Sequence, residues 1–525
     1  MCGFVFYSGK DLEKEKFEKA LEKINHRGPD DTEVEMVDGQ WMGFKRLAII
    51  DPTHAGDQPF QDKKTSIVCN GEIYNYKELK KEFSEYSYRS GSDCEVLMPI
   101  FKKEGIEGIV KRVDAEYALV IYDEETKSTF AARDEIGIRP MFYGHTKKGE
   151  IVFGSEVKAI QQLCTDIVPF PPGHFFKDGK FFEYADLSSV KKFVTDSHTT
   201  IYKNIKDKLV SGVKKRMQAD VPMGYLLSGG LDSSLVCSIA QKNSKTPIKT
   251  FAIGMSEDAI DLKYAKEVAD FIGSDHTEVI IRKDDVIGAL KDVVYHLESW
   301  DITTVRASVG MYLICKWIKE NTDVKVLMTG EVSDEIFGYK YTDFAPSGFE
   351  FQKEAAKRVR ELYIYDVLRA DRCISAHSIE ARVPFSDRDF VSYVMSIDPE
   401  KKMNSYGHGK YILRAAFEGD YLPQSILFRE KAAFSDAVGH SLVDFIKAYA
   451  EDVYSDQEFD KAQFKYEHAT PFTKESLLFR DIFESFYPKK GKLISDFWMP
   501  NNEWDNCDVK DPSARVLPNY GASGE

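Results

Sequence analysis

The sequence predicts an α+β region of antiparallel strands, then an α/β region with a parallel sheet, then a mostly helical C-terminal extension. Short strand-like runs bounded by turn signals fill the first 185 residues, and helix and strand patterns alternate from residue 201 to 329. Between 186 and 200 apolar periodicity gives way to Ser, Thr and Asp, which marks a domain boundary. At ~100–200 residues per domain, 525 residues exceed one core. The division expected is 2–185, 200–500 and a tail at 501–525, packed loosely or not at all.

In the first region the expected helices are 12–24, 76–83 and 95–104. The expected strands are 43–51, 66–70, 117–122, 128–134 and 151–155, with a polar loop at 123–127 closing a hairpin. In the second, helices at 201–217, 233–241, 262–272, 286–297 and 308–319 interleave with strands at 223–227, 249–253, 277–281 and 324–329. That alternation implies a parallel sheet covered on both faces. From 335 to about 487 the pattern is mostly helical.

With 43% hydrophobic and 30% charged residues the chain is globular rather than disordered. A net charge of −15 argues against nucleic acid as the main partner. The 8 cysteines form no C-x-x-C pair, and no apolar run approaches the ~20 residues of a membrane helix. A cytoplasmic protein with reduced thiols is expected, with no membrane partner.

Met1-Cys2-Gly3 opens the chain. A small residue at position 2 permits removal of the initiator Met, which would give Cys2 both a thiol and a free α-amine, a nucleophile and a base in one residue. By itself this differs little from an idle terminus. Further along stand His26-Arg27-Gly28-Pro29-Asp30, Arg46-Leu47-Ala48-Ile49-Ile50-Asp51, Asn70-Gly71-Glu72-Ile73-Tyr74-Asn75, Gly91-Ser92-Asp93-Cys94-Glu95 and Arg133-Asp134-Glu135-Ile136-Gly137-Ile138-Arg139-Pro140. Singly they also read as an exposed turn, a strand-end arginine and a hairpin turn. Together they resemble the glutaminase domain of class II glutamine amidotransferases, which implies an N-terminal-nucleophile fold with antiparallel sheets between helices.

The resemblance implies that Cys2 attacks the glutamine side-chain amide and that the Asn70 side chain and Gly71 N–H stabilise the oxyanion. Arg46, in the segment with Leu47, Ala48, Ile49 and Ile50, would bind the α-carboxylate, and Glu72 and Asp93 the α-ammonium.

The second motif is Leu226-Leu227-Ser228-Gly229-Gly230-Leu231-Asp232-Ser233-Ser234, an apolar strand running through a glycine turn into a helix. Backbone N–H groups and the helix N-terminus then face one point where an anion can sit. It lacks the Gly-Lys-Ser/Thr of a Walker loop, and a turn without a ligand is the plain alternative. The string resembles the pyrophosphate loop of ATP pyrophosphatases. In that reading Asp232 binds Mg²⁺ and Ser228, Gly230, Ser233 and Ser234 cradle pyrophosphate.

Loops at the carboxyl ends of parallel strands share a crevice, so Phe251-Ala252-Ile253-Gly254 and Thr329-Gly330-Glu331-Val332-Ser333-Asp334-Glu335 should join this one. Leu226 and Ile253 would meet the adenosine, Thr329 and Gly330 its polar edge and ribose, and Asp334 a second Mg²⁺ contact. Glu331 would help form an acyl adenylate or deprotonate ammonium.

A glutaminase domain followed by an ATP pyrophosphatase domain resembles the asparagine synthetase family over nearly the whole chain. Thr303, Thr304 and Arg306, in Asp301-Ile302-Thr303-Thr304-Val305-Arg306, look like its aspartate-binding region. Thr303 or Thr304 as a helix cap is the alternative. Ile379-Glu380-Ala381-Arg382-Val383-Pro384-Phe385 resembles another family segment, as does Arg429-Glu430-Lys431-Ala432-Ala433-Phe434-Ser435-Asp436, whose Lys431 would place a cation on the phosphates.

The family usually has Gly where this chain has Val332 and Ala437, which bears on nucleotide fit. The reaction implied joins ammonia from glutamine to aspartate through β-aspartyl-AMP, with glutamine, aspartate and Mg²⁺-bound ATP as the small-molecule partners and an internal route for ammonia. A homodimer is left open. The rivals are a sister ligase that closes a β-lactam or peptide ring, and an inactive relative.

Overall fold

The computed structural model describes residues 1–255, 259–429 and 440–521. They form two compact units. The first comprises Met1–Asp186, Gln218–Pro222 and Ile374–Ala381; the second comprises Leu187–Met217, Met223–Cys373 and Arg382–Glu525.

The first unit is built on two antiparallel six-stranded sheets. Its strands are β1 (Gly3–Tyr7), β2 (Asp31–Val37), β3 (Gln40–Arg46), β4 (Phe60–Asp62), β5 (Thr65–Ile73), β6 (Ala115–Asp123), β7 (Ser128–Arg133), β8 (Phe142–His145), β9 (Ile151–Gly154), β10 (Val168–Pro169), β11 (His174–Lys177) and β12 (Lys180–Glu183). One sheet runs β10-β8-β9-β1-β3-β2 and the other β12-β11-β7-β6-β5-β4. Alternation explains the layering. Ala118, Val120 and Tyr122 of β6 share a core with Phe4 and Phe6 of β1 and Met42 and Phe44 of β3, between the sheets. Leu119 and Ile121 point the other way, onto Leu79 of helix α1 (Tyr76–Glu82) and Leu97, Ile100 and Ile109 of helix α2 (Leu97–Arg112). Burying each such side chain contributes ~1.5–3 kcal/mol.

The sequence reading missed β1, β2, β4, β8 and β10 to β12. Most of these strands are short, the wholly buried β1 lacks a polar face, and β2 is a largely exposed edge strand whose acidic residues disfavour a strand reading. The strand expected over 43–51 ends at Arg46, and residues 47–50 leave the sheet.

The second unit carries β13 (Met223–Leu226), β14 (Lys249–Met255), β15 (Asp275–Ile281) and β16 (Val326–Met328), paired in parallel in the order β15-β14-β13-β16. Helices α3 (Leu231–Asn243), α4 (Ile260–Ile272) and α5 (Ile302–Asn321) belong to the same layered arrangement. The strand order turns back at β13, so the loops after β13 and β16 open side by side.

Over residues 501–521 the tail is not loose. Trp504, Cys507 and Leu517 share a core with Tyr341 and Phe351. Aromatic and aliphatic residues spaced among prolines and glycines give no period by which sequence alone would detect such packing.

Candidate functional sites

In the first unit, the departure of residues 47–50 from the sheet brings the Leu47 backbone to Cys2: Leu47 N–H donates to Cys2 Sγ at 3.4 Å, and Sγ lies 3.5 Å from Leu47 O. The Cys2 carbonyl accepts from Arg27 Nε at 2.8 Å, and Arg27 Nη1 is paired with Glu156 at 2.8 Å. Asp30 accepts from Ala48 N–H at 2.9 Å. The segment 26–30 therefore fixes Cys2 and the strand exit beside it, roles that sequence alone did not assign.

Asn70 is wholly buried, and neither its Nδ2 nor its Oδ1 makes a hydrogen bond among the described residues. A buried amide without partners costs ~1–3 kcal/mol, a cost that a ligand carrying a developing oxyanion would relieve. At Gly71 a Cβ would lie 2.6 Å from Glu116 O, so β5 and β6 meet too closely for a side chain.

Arg46 donates to Thr53 O at 2.6 Å and Asp51 O at 2.5 Å and pairs with Asp57 at 2.5 Å, which holds its guanidinium over the loop after β3. Asp93 accepts from Ile73 N–H at 2.7 Å; Glu72, Ile49 and Ile50 are nearly buried. Within 133–140, Arg133 donates to the carbonyls of Gly137, Arg139 and Phe170, and Asp134 collects the N–H groups of Gly137, Ile138 and Arg139. That motif shapes a loop.

With Met1 in place the α-amine is not on Cys2. Burial pushes the Met1 ammonium down to about 5 and the Cys2 thiol up to about 11.

In the second unit a cavity of about 260 Å³ is lined by the β13–α3 turn, the loop after β16, α5 and the C-terminal segment. Gly229, at φ 69°, turns β13 into α3 where a Cβ would strike Ala265 N at 2.6 Å. Ser228 Oγ and Ser233 Oγ lie 3.0 Å apart, and Ser233 Oγ accepts from Ser228 N–H at 3.2 Å. A Cβ on Gly330 would lie 2.9 Å from Ser233 N, so the loop after β16 presses on the first turn of α3.

Charge converges at this contact. Lys410 Nζ is 2.8 Å from Asp232 Oδ2, 2.6 Å from Asp334 Oδ1 and 3.0 Å from Ser333 Oγ. Sequence reading missed Lys410 because a single lysine in a polar stretch looks like surface. The preceding glycine and the short helix Tyr411–Ala416 were the available signal.

Leu226, Ser228, Gly230, Asp232, Ser233, Ile253, Thr329, Gly330, Glu331 and Asp334 all line the cavity. Ser234 is wholly buried outside that lining. Glu331 Oε1 is 3.6 Å from Arg369, and its Oε2 is buried without a hydrogen bond among the described residues. Val332 adopts φ 81°, a left-handed conformation that costs a β-branched residue ~1–2 kcal/mol. Lys431 and Ala437 lie outside the described residues.

The aspartate-site expectations divide. Thr303 lines the cavity, and its Oγ1 is buried without a hydrogen bond among the described residues. Thr304 does not line it: its N–H and Oγ1 donate to Asp301 Oδ2 at 2.8 and 2.6 Å. The cap of α5 is therefore Asp301 rather than either threonine. Arg306 lines the cavity with its donors turned onto Glu475, Asp511 and Ser513.

A two-sheet unit with cysteine near its start thus precedes a parallel-sheet unit with a glycine turn and clustered carboxylates. A model of the glutamine amidotransferase domain matches residues 1–212, and one of asparagine synthase matches 204–350 and 345–510. The chain is 39% identical to the glutamine-hydrolyzing asparagine synthetase of Homo sapiens over 99% of each chain. It is 40% identical to asparagine synthetase 3 of Arabidopsis thaliana over 98% of this chain and 94% of that one. It is also 38% identical to a probable asparagine synthetase of Acanthamoeba polyphaga mimivirus over 99% and 100%. The chain belongs to the asparagine synthetase family.

Proposed function

We propose that residues 2–185 form a glutaminase domain and 200–500 a synthetase domain, which together make asparagine from aspartate, ATP and glutamine. The observation that carries the synthetase half is the meeting of Asp232, Asp334 and Lys410 at the first turn of α3. Anionic phosphates find there a cation, the helix N-terminus and the serine hydroxyls of the β13–α3 turn.

The aspartate β-carboxylate is a poor acceptor for ammonia. Adenylation by ATP makes it reactive, with pyrophosphate and then AMP as leaving groups. In this reading Lys410 neutralises charge as it builds on the phosphates, and Glu331 accepts a proton from the attacking ammonia. Asp232 and Asp334 offer carboxylate oxygens of the kind Mg²⁺ takes, within reach of one shared cation, so the residues fit the metal that accompanies ATP. Bound there, Mg²⁺ would neutralise phosphate charge.

In the glutaminase half, loss of Met1 transfers the α-amine to Cys2, where it serves as base for the thiol. Asn70 and the Gly71 N–H receive the oxyanion, and Arg46 and Asp93 hold the amino-acid end of glutamine. The eight unbridged cysteines support a reducing, cytoplasmic setting.

Product analysis tests the proposal. Asparagine, AMP, pyrophosphate and glutamate should appear in equal amounts; ADP and phosphate in their place would overturn the adenylation chemistry.

A further inference from the structure

Arg306 is 3% exposed and faces the adenylation cavity, yet most of its donors are already engaged. Nε and Nη2 grip Glu475 at 2.8 and 2.5 Å, and Nη1 donates to Asp511 at 2.9 Å and to Ser513 Oγ at 2.8 Å. Of the five guanidinium N–H groups this leaves one on Nη2 for a ligand. The fork cannot clasp a substrate carboxylate with two parallel bonds unless a partner leaves.

Two of these partners come from the C-terminal tail, which is fastened on both sides of them. Before Asp511, Trp504 and Cys507 sit in the core with Tyr341. After Ser513, Arg515 pairs with Asp444 at 2.6 Å, Leu517 enters that core, and Asn519 donates to Lys340 O at 2.7 Å and to Asp343 at 3.0 Å. Asp511 also accepts from Ser513 N–H at 2.8 Å and pairs with Lys447. Against the upward push of burial, the Arg306 guanidinium holds the Asp511 carboxyl well below the usual carboxylate range, so it is ionised at neutral pH. Pro512, Ser513 and Ala514 line the same cavity as Ser228, Glu331 and Lys410.

We infer that the tail segment 512–514 is a working wall of the synthetase pocket, in which Ser513, and Asp511 just before it, are positioning residues that aim the remaining N–H of Arg306 at the amino-acid substrate. The inference rests on the assignment of this cavity to aspartate and ATP. The cluster of Arg306, Lys447, Glu475 and Asp511 is neutral as a whole, so Arg306 selects by direction rather than by excess positive charge. Removing the Asp511 charge leaves Nη1 of Arg306 held by Ser513 alone, so the guanidinium can tilt about its Glu475 pairing and the wall that Ser513 and Ala514 provide loosens.

The test compares Asp511→Asn, Asp511→Glu and Ser513→Ala in the full chain, measuring KM for aspartate, KM for ATP, glutaminase rate and Tm. Loss of one charge-assisted hydrogen bond predicts a rise of about 10–100-fold in the aspartate KM for Asp511→Asn, with the ATP KM and glutaminase rate within about twofold. Asp511→Glu should recover most of the loss. An unchanged aspartate KM with a lowered Tm would overturn the inference and leave the tail a structural strap. A lowered aspartate KM would also overturn it, since Asp511 would then be competing with the substrate. Should Asp511→Asn not fold, Ser513→Ala carries the test: a rise of about 2–10-fold in aspartate KM is expected, and none would overturn the inference. Failure of the wild-type protein to form AMP with aspartate would instead remove the functional assignment beneath it.

Discussion

Cys2 has two anchors around it: the Leu47 amide at its sulfur and Arg27 at its carbonyl. The Cys2→Ala protein should lose glutamine-dependent synthesis entirely and keep synthesis from ammonium salts at near the wild-type rate. Parallel assays with the two nitrogen sources check this; loss of both activities in a folded protein would mean the sites are not separable. Lys410 gives the converse result. Lys410→Met keeps the length of the side chain but leaves Asp232 and Asp334 facing each other without their shared cation. Synthesis from either nitrogen source should fall roughly 10²–10³-fold, with glutaminase activity retained. Cys2, Asn70 and Asp232 were legible in the sequence because each stands in a run of distinctive neighbours. Lys410 and Asp511 were not, because a lysine or aspartate in a polar stretch carries no sign of the partners that folding brings to it.

Among the elements, the turn from β13 into α3 was the most legible, since an apolar strand, two glycines and a serine-rich helix start each dictate backbone direction. The start of α5 was less so. The sequence offered Thr303 or Thr304 as its cap, and the structure gives it to Asp301, which accepts from Thr304 N–H, Thr304 Oγ1 and Trp498 N–H. Burial pushes the Asp301 carboxyl up to about 6, with those donors opposing it. Its folded pKa thus exceeds the ordinary ~3.9, so its stabilising contribution is complete below about pH 4 and is lost as pH rises through about 6. The stability difference between wild type and Asp301→Asn should therefore shrink by roughly 2 kcal/mol from pH 4 to pH 7. Urea unfolding of both proteins across that range measures it, and a difference independent of pH would show that folding leaves the Asp301 pKa at its unfolded value.

At the scale of the whole molecule the change from antiparallel to parallel strands was readable, because it changes the rhythm of apolar residues. The packing of the tail was not, and neither was the discontinuity of the first unit. Residues 374–381 belong to that unit and satisfy its buried arginines: Arg27 Nη1 donates to Ser375 Oγ at 3.1 Å and Arg139 Nη1 to Ala381 O at 2.8 Å. Asp220 Oδ2 accepts from Asp51 N–H at 2.9 Å, and Ser378 Oγ donates to His26 O at 2.8 Å. A fragment ending at Asp186 lacks all four bonds. It should show faster amide exchange at residues 26–30 and 47–51 than the intact chain, which hydrogen-exchange mass spectrometry can compare directly.

The same discontinuity sets a timetable for the newborn chain. Roughly 200 residues separate Asp186 from Ala381. A ribosome moving at ~5–20 residues/s needs roughly 10–40 s to cover them. Through that interval the first unit is already outside the tunnel with its two buried arginines short of their last acceptors. The surroundings of Cys2 are therefore completed only after more than half of the second unit has been translated, and still before Lys410 and the tail segment that line the cavity of the second unit.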